Sequence, residues 1–161
     1  MLATLAAEPF DRVGWVFEEK YDGDRILAYK EGDRVRLLSR NGKDRSDRFP
    51  RIAATIRSLP AQSLLLDGEV VVLTGRVCPD FNCCSRDKGE PVYAVFDCLF
   101  HDGEDLRREP LSTRRAVMER SICSSKRLVP SHSLGTKGVP AFGIAKRLGY
   151  EGLVAKNVSS S

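Results

Sequence analysis

Two uninterrupted apolar runs constrain this chain more than any other feature: Leu64-Leu65-Leu66-Asp67-Gly68-Glu69-Val70-Val71-Val72-Leu73 and Val92-Tyr93-Ala94-Val95-Phe96-Asp97-Cys98-Leu99-Phe100. A run that fails to alternate apolar with polar residues reads as a strand covered on both faces, hence as an interior strand of a sheet. Acids inside such strands are costly unless they are paired or have a chemical task. Asp67, Glu69 and Asp97 therefore stand out before any motif is considered.

The remaining segments supply the rest of a sheet and its helices. Ile26–Tyr29 and Val35–Leu38 flank Glu31-Gly32-Asp33 and predict a hairpin, closed by a second turn at Ser39-Arg40-Asn41-Gly42. Pro50 suits a first helical position, with Ile52, Ile56 and Leu59 following at helical spacing and Pro60 ending the element. Ser112 has the chemistry of a cap for a helix reaching Ile122, with Arg114, Arg115 and Arg120 on its wet side. A short strand at Arg127-Leu128-Val129 is followed by a helix begun by Pro140. That helix carries Val139, Phe142, Ala145 and Leu148 on one face and is stopped by Gly149. Residues 150–156 read as a last strand, while residues 77–89, with Phe81-Asn82-Cys83-Cys84, read as irregular. Hairpins interspersed with helices predict an α+β fold of mostly antiparallel sheets, in one domain spanning residues 1–161.

Composition narrows the function classes. With 42% hydrophobic and 30% charged residues the chain has a globular balance. No apolar run approaches the roughly 18 residues of a membrane span, and the first residues lack the pattern of a secretory leader. A formal charge of +4, with basic clusters at 34–48 and 107–115, permits a polyanionic partner without demanding one. The five cysteines have no Cys-x-x-Cys spacing and read as free thiols in a reducing cytoplasm.

The chemically suggestive stretch is Glu18-Glu19-Lys20-Tyr21-Asp22-Gly23-Asp24-Arg25, between the strand-like runs at 14–17 and 26–29. It places a lysine at the end of an extended segment, beside an Asp-Gly pair that favours a tight turn into the next. A lysine amine attacks an electrophile only when neutral, which burial or nearby cations such as Arg25 favour. Alone, Lys-x-Asp-Gly reads first as an ordinary hairpin turn with a solvated lysine. Further along come Arg40 in Ser-Arg-Asn-Gly, Glu69 in Leu-Asp-Gly-Glu, Phe96-Asp97, and Glu151-Gly152-Leu153-Val154-Ala155-Lys156. Transfer of a nucleotide onto a lysine needs such a set: an amine to attack phosphorus, carboxylates for a divalent metal and a sugar, cations for phosphate, and an aromatic face for a base.

In order and spacing these motifs resemble the nucleotidyltransferase core of ATP-dependent DNA ligases, especially the ligase domains of bacterial end-joining proteins. The resemblance runs from about Pro9 to Asn157. It implies an ATP-grasp-like core, ATP and Mg²⁺ as cofactors, and nicked double-stranded DNA as substrate. It makes Lys20 the adenylated nucleophile, Glu18 the acceptor of the adenine amino group, and Phe96 the residue packed on the ring. Arg25 and Glu69 hold the ribose and neighbouring phosphate, Arg40 grips the phosphate at the nick, Glu151 serves the metal, and Lys156 contacts a phosphate. Asp22 and Gly23 shape the turn; Asp67 and Asp97 brace the backbone.

The same resemblance implies a further Lys-x-Lys segment and an oligonucleotide-binding barrel beyond the last strand, so the chain is expected to be a C-terminally truncated core. Repair proteins or that barrel are implied as partners, in a bacterial cytoplasm at the nucleoid. Two alternatives stay open: an RNA ligase or capping guanylyltransferase, which shares Lys-x-Asp-Gly, and a catalytically weak nucleotide- or DNA-binding module.

Overall fold

The two apolar runs form the central pair of a twisted sheet in the computed structural model, which describes residues 4–72, 89–122 and 125–161. β1 is Trp15–Glu19, β2 Asp24–Glu31, β3 Arg34–Ser39, α1 Pro50–Arg57, β4 Ser63–Val72 and β5 Pro91–His101. β6 is Glu104–Asp105, α2 Leu111–Ile122, β7 Leu128–Pro130, β8 Ser133–Gly135, α3 Gly138–Leu148 and β9 Leu153–Asn157. The larger sheet has the order β3-β2-β4-β5-β6, with β7 alongside β5; the smaller has the order β8-β1-β9. Among the described residues every strand pairing is antiparallel except β5 with β7, so the expected α+β, mainly antiparallel fold is observed.

The core lies between the larger sheet and its helices. Ile26, Leu37, Leu64, Leu66 and Val70 face Ile52 and Ile56 of α1 and Met118 and Ile122 of α2 within one buried cluster. The α1 prediction holds: Pro50 opens the helix, and Leu59 is buried just beyond its end. Tyr93 is fully buried, with its hydroxyl 2.8 Å from the Ile26 carbonyl and 3.1 Å from that of Leu66. Its ring covers Gly68, where an added Cβ would come within 2.6 Å of it, so Asp67-Gly68-Glu69 needs its glycine for close approach.

Several local expectations are corrected. Asp22-Gly23 does not close a hairpin: β1 and β2 lie in different sheets, and the chain crosses between them there. Gly23 is required instead because a Cβ would lie 2.2 Å from the Val70 carbonyl oxygen. Ser112 is no cap, since α2 already begins at Leu111. Arg114 is buried, donating to both Asp97 oxygens (2.8 and 3.0 Å) and to the Glu109 and Ser160 carbonyls. Asp97 therefore braces an arginine as well as the Cys98 amide. On α3 the buried face is Gly138, Ala141 and Ala145, while Val139 and Phe142 are exposed. Small residues let α3 approach β1 closely: a Cβ on Gly138 would meet the Phe17 ring at 2.6 Å. Gly149 ends α3 in the left-handed conformation, as expected. The irregular stretch 77–89 and Cys78, Cys83, Cys84 and Cys123 fall outside the described residues, except for Gly89.

Candidate active site

The motif residues collect where the two sheets face one another. From the smaller sheet come Glu18 on β1, Lys20 just past its end, Glu151 before β9 and Lys156 on β9. The larger sheet contributes Arg25 on β2, Asp67 and Glu69 on β4, and Phe96 on β5.

Backbone hydrogen bonds fix Lys20. Its amide donates to the Gly152 carbonyl at 3.0 Å, and the preceding Glu19 amide donates to His132 at 3.0 Å. The ammonium forms an ion pair with Glu151, both side chains being about half exposed. Residues 131 places apart thus meet at the edge of the smaller sheet. Gly152 sits against the Lys20 stem, its added Cβ meeting Cδ at an ordinary 3.7 Å.

Glu18 is buried at 2% side-chain exposure, which requires compensation for its charge. It accepts hydrogen bonds from Ser131 Oγ and Lys156 Nζ, each 2.7 Å from Oε2, and from Arg115 at Oε1. Lys156 thus pairs with Glu18, and its ammonium also stands 4.8 Å from the centre of the Phe96 ring. The Arg25 guanidinium lies 5.5 Å from the same ring, so Phe96 receives one cation from each sheet.

A shift of register aims Phe96. Asp67 pairs with Asp97 but Gly68 pairs with Val95, leaving Phe96 without a β4 partner. Such an extra residue redirects its side chain and increases local twist. Arg25 stands opposite Glu69 on neighbouring strands and is clamped by Asp67, at 3.1 and 2.7 Å. The Asp67 bond raises the Arg25 pKa further above its ordinary value, and burial raises that of Glu69, partly offset by Arg25. Arg40 follows Ser39, the partner of Ile26, and so stands exposed at the end of the larger sheet that carries Arg25.

Sequence reasoning missed Arg115 and Ser131. Arg115 was expected on the wet side of α2, and its 3.0 Å pairing with Glu119 one turn on is just what a solvated helix face would show. Ser131 carried no motif. Asp67, expected to brace backbone, braces Arg25 instead.

Among the described residues no three His, Cys, Asp or Glu side chains gather as a metal cage. Mg²⁺ commonly takes one or two carboxylates together with substrate phosphates and water, so Glu151 beside Lys20 suits that mode of binding.

The family model described as the ATP dependent DNA ligase domain matches residues 1–161. Among curated relatives, the multifunctional non-homologous end joining protein LigD of Pseudomonas aeruginosa is 36% identical, over 99% of this chain and 20% of that protein. The crystal structure of the ligase domain of Mycobacterium tuberculosis LigD superposes with a TM-score of 0.76 at 30% identity, covering 94% of this chain and 51% of that one. A mycobacterial DNA ligase D complexed with ATP and MES gives a TM-score of 0.75 at 30% identity, covering 94% and 50%. The chain therefore spans about a fifth of the LigD relative and half of the solved ligase domains.

Proposed function

This chain belongs to the ATP-dependent DNA ligase domain family, and we propose that residues 1–161 act as its adenylation domain. Lys20 Nζ, once deprotonated to solvent, attacks the α-phosphorus of ATP. A P–N bond forms, the bond to the bridging oxygen breaks, and pyrophosphate leaves. The AMP then passes to a 5′-phosphate at a DNA nick, freeing Lys20, and the 3′-hydroxyl displaces AMP to join the strands.

The observation that carries this reading is the meeting of Lys20 with Glu151 beside the smaller sheet, whose Lys156 contacts both the buried Glu18 and the Phe96 ring of the larger sheet. Glu18 accepts from the adenine amino group, Phe96 packs on the ring, and Arg25 with Glu69 holds the ribose and adjoining phosphate. Lys156 serves a phosphate after leaving Glu18. Glu151 would hold Mg²⁺, which neutralises charge on the phosphates during transfer. Arg40 grips the phosphate at the nick, in repair and recombination of DNA in the cytoplasm at the nucleoid, with repair proteins or an oligonucleotide-binding barrel as partners. Among the described residues no helix is long and apolar enough to cross a membrane.

Intact-mass measurement after incubation with ATP and Mg²⁺ tests the assignment. A gain of about 329 Da, one lysine-linked adenylate, is expected for the unmodified chain and not for Lys20→Ala. The same gain in Lys20→Ala would put the nucleophile elsewhere. Labelling by GTP in preference to ATP would favour a capping-type enzyme.

A further inference from the structure

We propose that Arg115 is a positioning residue that sets the base selectivity of this site, by holding the Glu18 carboxylate in place when Lys156 leaves it. The inference rests on the nucleotide reading above and extends it to a residue outside the motifs.

Two cations share the buried Glu18 carboxylate, and they are held differently. Lys156 reaches Oε2 with a single ammonium on a flexible stem. That ammonium also stands over the Phe96 ring, so Lys156 occupies the two surfaces that an adenine would use. Base binding requires it to move. Arg115 is fixed at several points: Nε donates to Glu119 at 3.0 Å, Nη2 to the Ser131 carbonyl at 2.9 Å, and Nη1 to Glu18 Oε1. Nη1 also lies 3.4 Å from Ser131 Oγ, whose own proton goes to Glu18. The next residue back, Arg114, ties the same helix to Asp97.

When Lys156 swings away, Glu18 thus keeps a charged partner on one oxygen and a hydroxyl on the other. The vacated acceptor position on Oε2 then faces the base. A carboxylate only accepts hydrogen bonds, so it complements a 6-amino purine and repels a 6-oxo purine. Without Arg115, departure of Lys156 would strand a buried charge against one hydroxyl. Either Lys156 stays and blocks the base, or Glu18 turns toward water. Both outcomes erase the distinction between amino and oxo purines.

The test is calorimetric binding of ATP and of inosine 5′-triphosphate to the full chain, as wild type, Arg115→Met and Arg115→Lys. Wild type is expected to prefer ATP by roughly tenfold to a hundredfold, the range of one hydrogen bond to a charged group. Arg115→Met should bring the two affinities within about threefold by losing that bond, and Arg115→Lys should restore part of the preference. An unchanged preference in Arg115→Met overturns the role of Arg115 while leaving the nucleotide site intact. A wild type that binds neither triphosphate overturns the nucleotide reading and the inference with it, whereas one that binds both equally overturns the inference and leaves the nucleotide site standing. If Arg115→Met fails to fold by circular dichroism, Arg115→Lys and Glu119→Gln carry the test. Glu119→Gln loosens the far end of the guanidinium and should also lower the ATP preference. An unchanged ratio in both variants overturns the proposal.

Discussion

Asp67 of β4 holds Arg25 of β2 by two parallel hydrogen bonds, Nε to Oδ1 at 3.1 Å and Nη2 to Oδ2 at 2.7 Å. The fork points the guanidinium at Phe96 and keeps it beside Glu69. Losing it leaves a part-buried cation without its main partner. Asp67→Ala is expected to lower stability by about 1–3 kcal/mol in urea unfolding and to weaken ATP binding in calorimetry. Unchanged stability and affinity would show that the fork neither braces the fold nor orders the site.

Gly23 and Gly152, two of the motif glycines, should respond differently to alanine. At Gly23 a Cβ meets the Val70 carbonyl oxygen at 2.2 Å, a backbone atom that cannot step aside. Gly23→Ala should therefore cost about 1–3 kcal/mol through displacement of β4. At Gly152 the nearest atom is Lys20 Cδ at 3.7 Å, an ordinary contact. Gly152→Ala should stay within about 0.5 kcal/mol of wild type. Equal unfolding midpoints for the two variants would contradict this difference.

Glu69 gives stability a particular slope with pH. Burial raises its pKa in the folded chain, so between the unfolded and folded values the native state binds more protons. Its contribution is fully present below the unfolded value, about 4.3, and is lost as pH rises through the folded one. Glu69→Gln removes that loss. Measured against the variant, wild type should lose ground as pH rises above the ordinary glutamate range. Urea midpoints of both proteins across that range decide the matter, and a relative gain by wild type would refute it.

Cys98 should be chemically silent in the native chain. It is wholly buried, and burial pushes its thiol up to about 11. The thiolate is the reactive form, so iodoacetamide at neutral pH should modify Cys98 only after unfolding. With the folded value raised, the thiol supports the fold below its ordinary range, and that support is lost as pH rises through about 11. Peptide mapping of native and urea-treated protein provides the check. Labelling of Cys98 at equal rates in both would contradict the prediction.

The sequence by itself determined the longer strands and most helix limits, and it singled out the candidate chemical groups. Patterns such as 64–73 or Pro50 with Ile52 and Ile56 are local, and local sterics and burial act on them directly. Ordered motifs likewise singled out Lys20, Glu18, Glu69, Phe96 and Glu151 as candidates. Only the tertiary structure decided which sheet each strand joins, and hence that Asp22-Gly23 is a crossing between sheets. It also decided that Phe96 lacks a β4 partner, that Asp67 clamps Arg25, and that Arg114 and Arg115 point inward from α2. An arginine on a helix reads as solvated until a distant carboxylate is brought beneath it. Arg115 and Glu18 are 97 residues apart, and only packing of α2 against the strands makes that burial favourable.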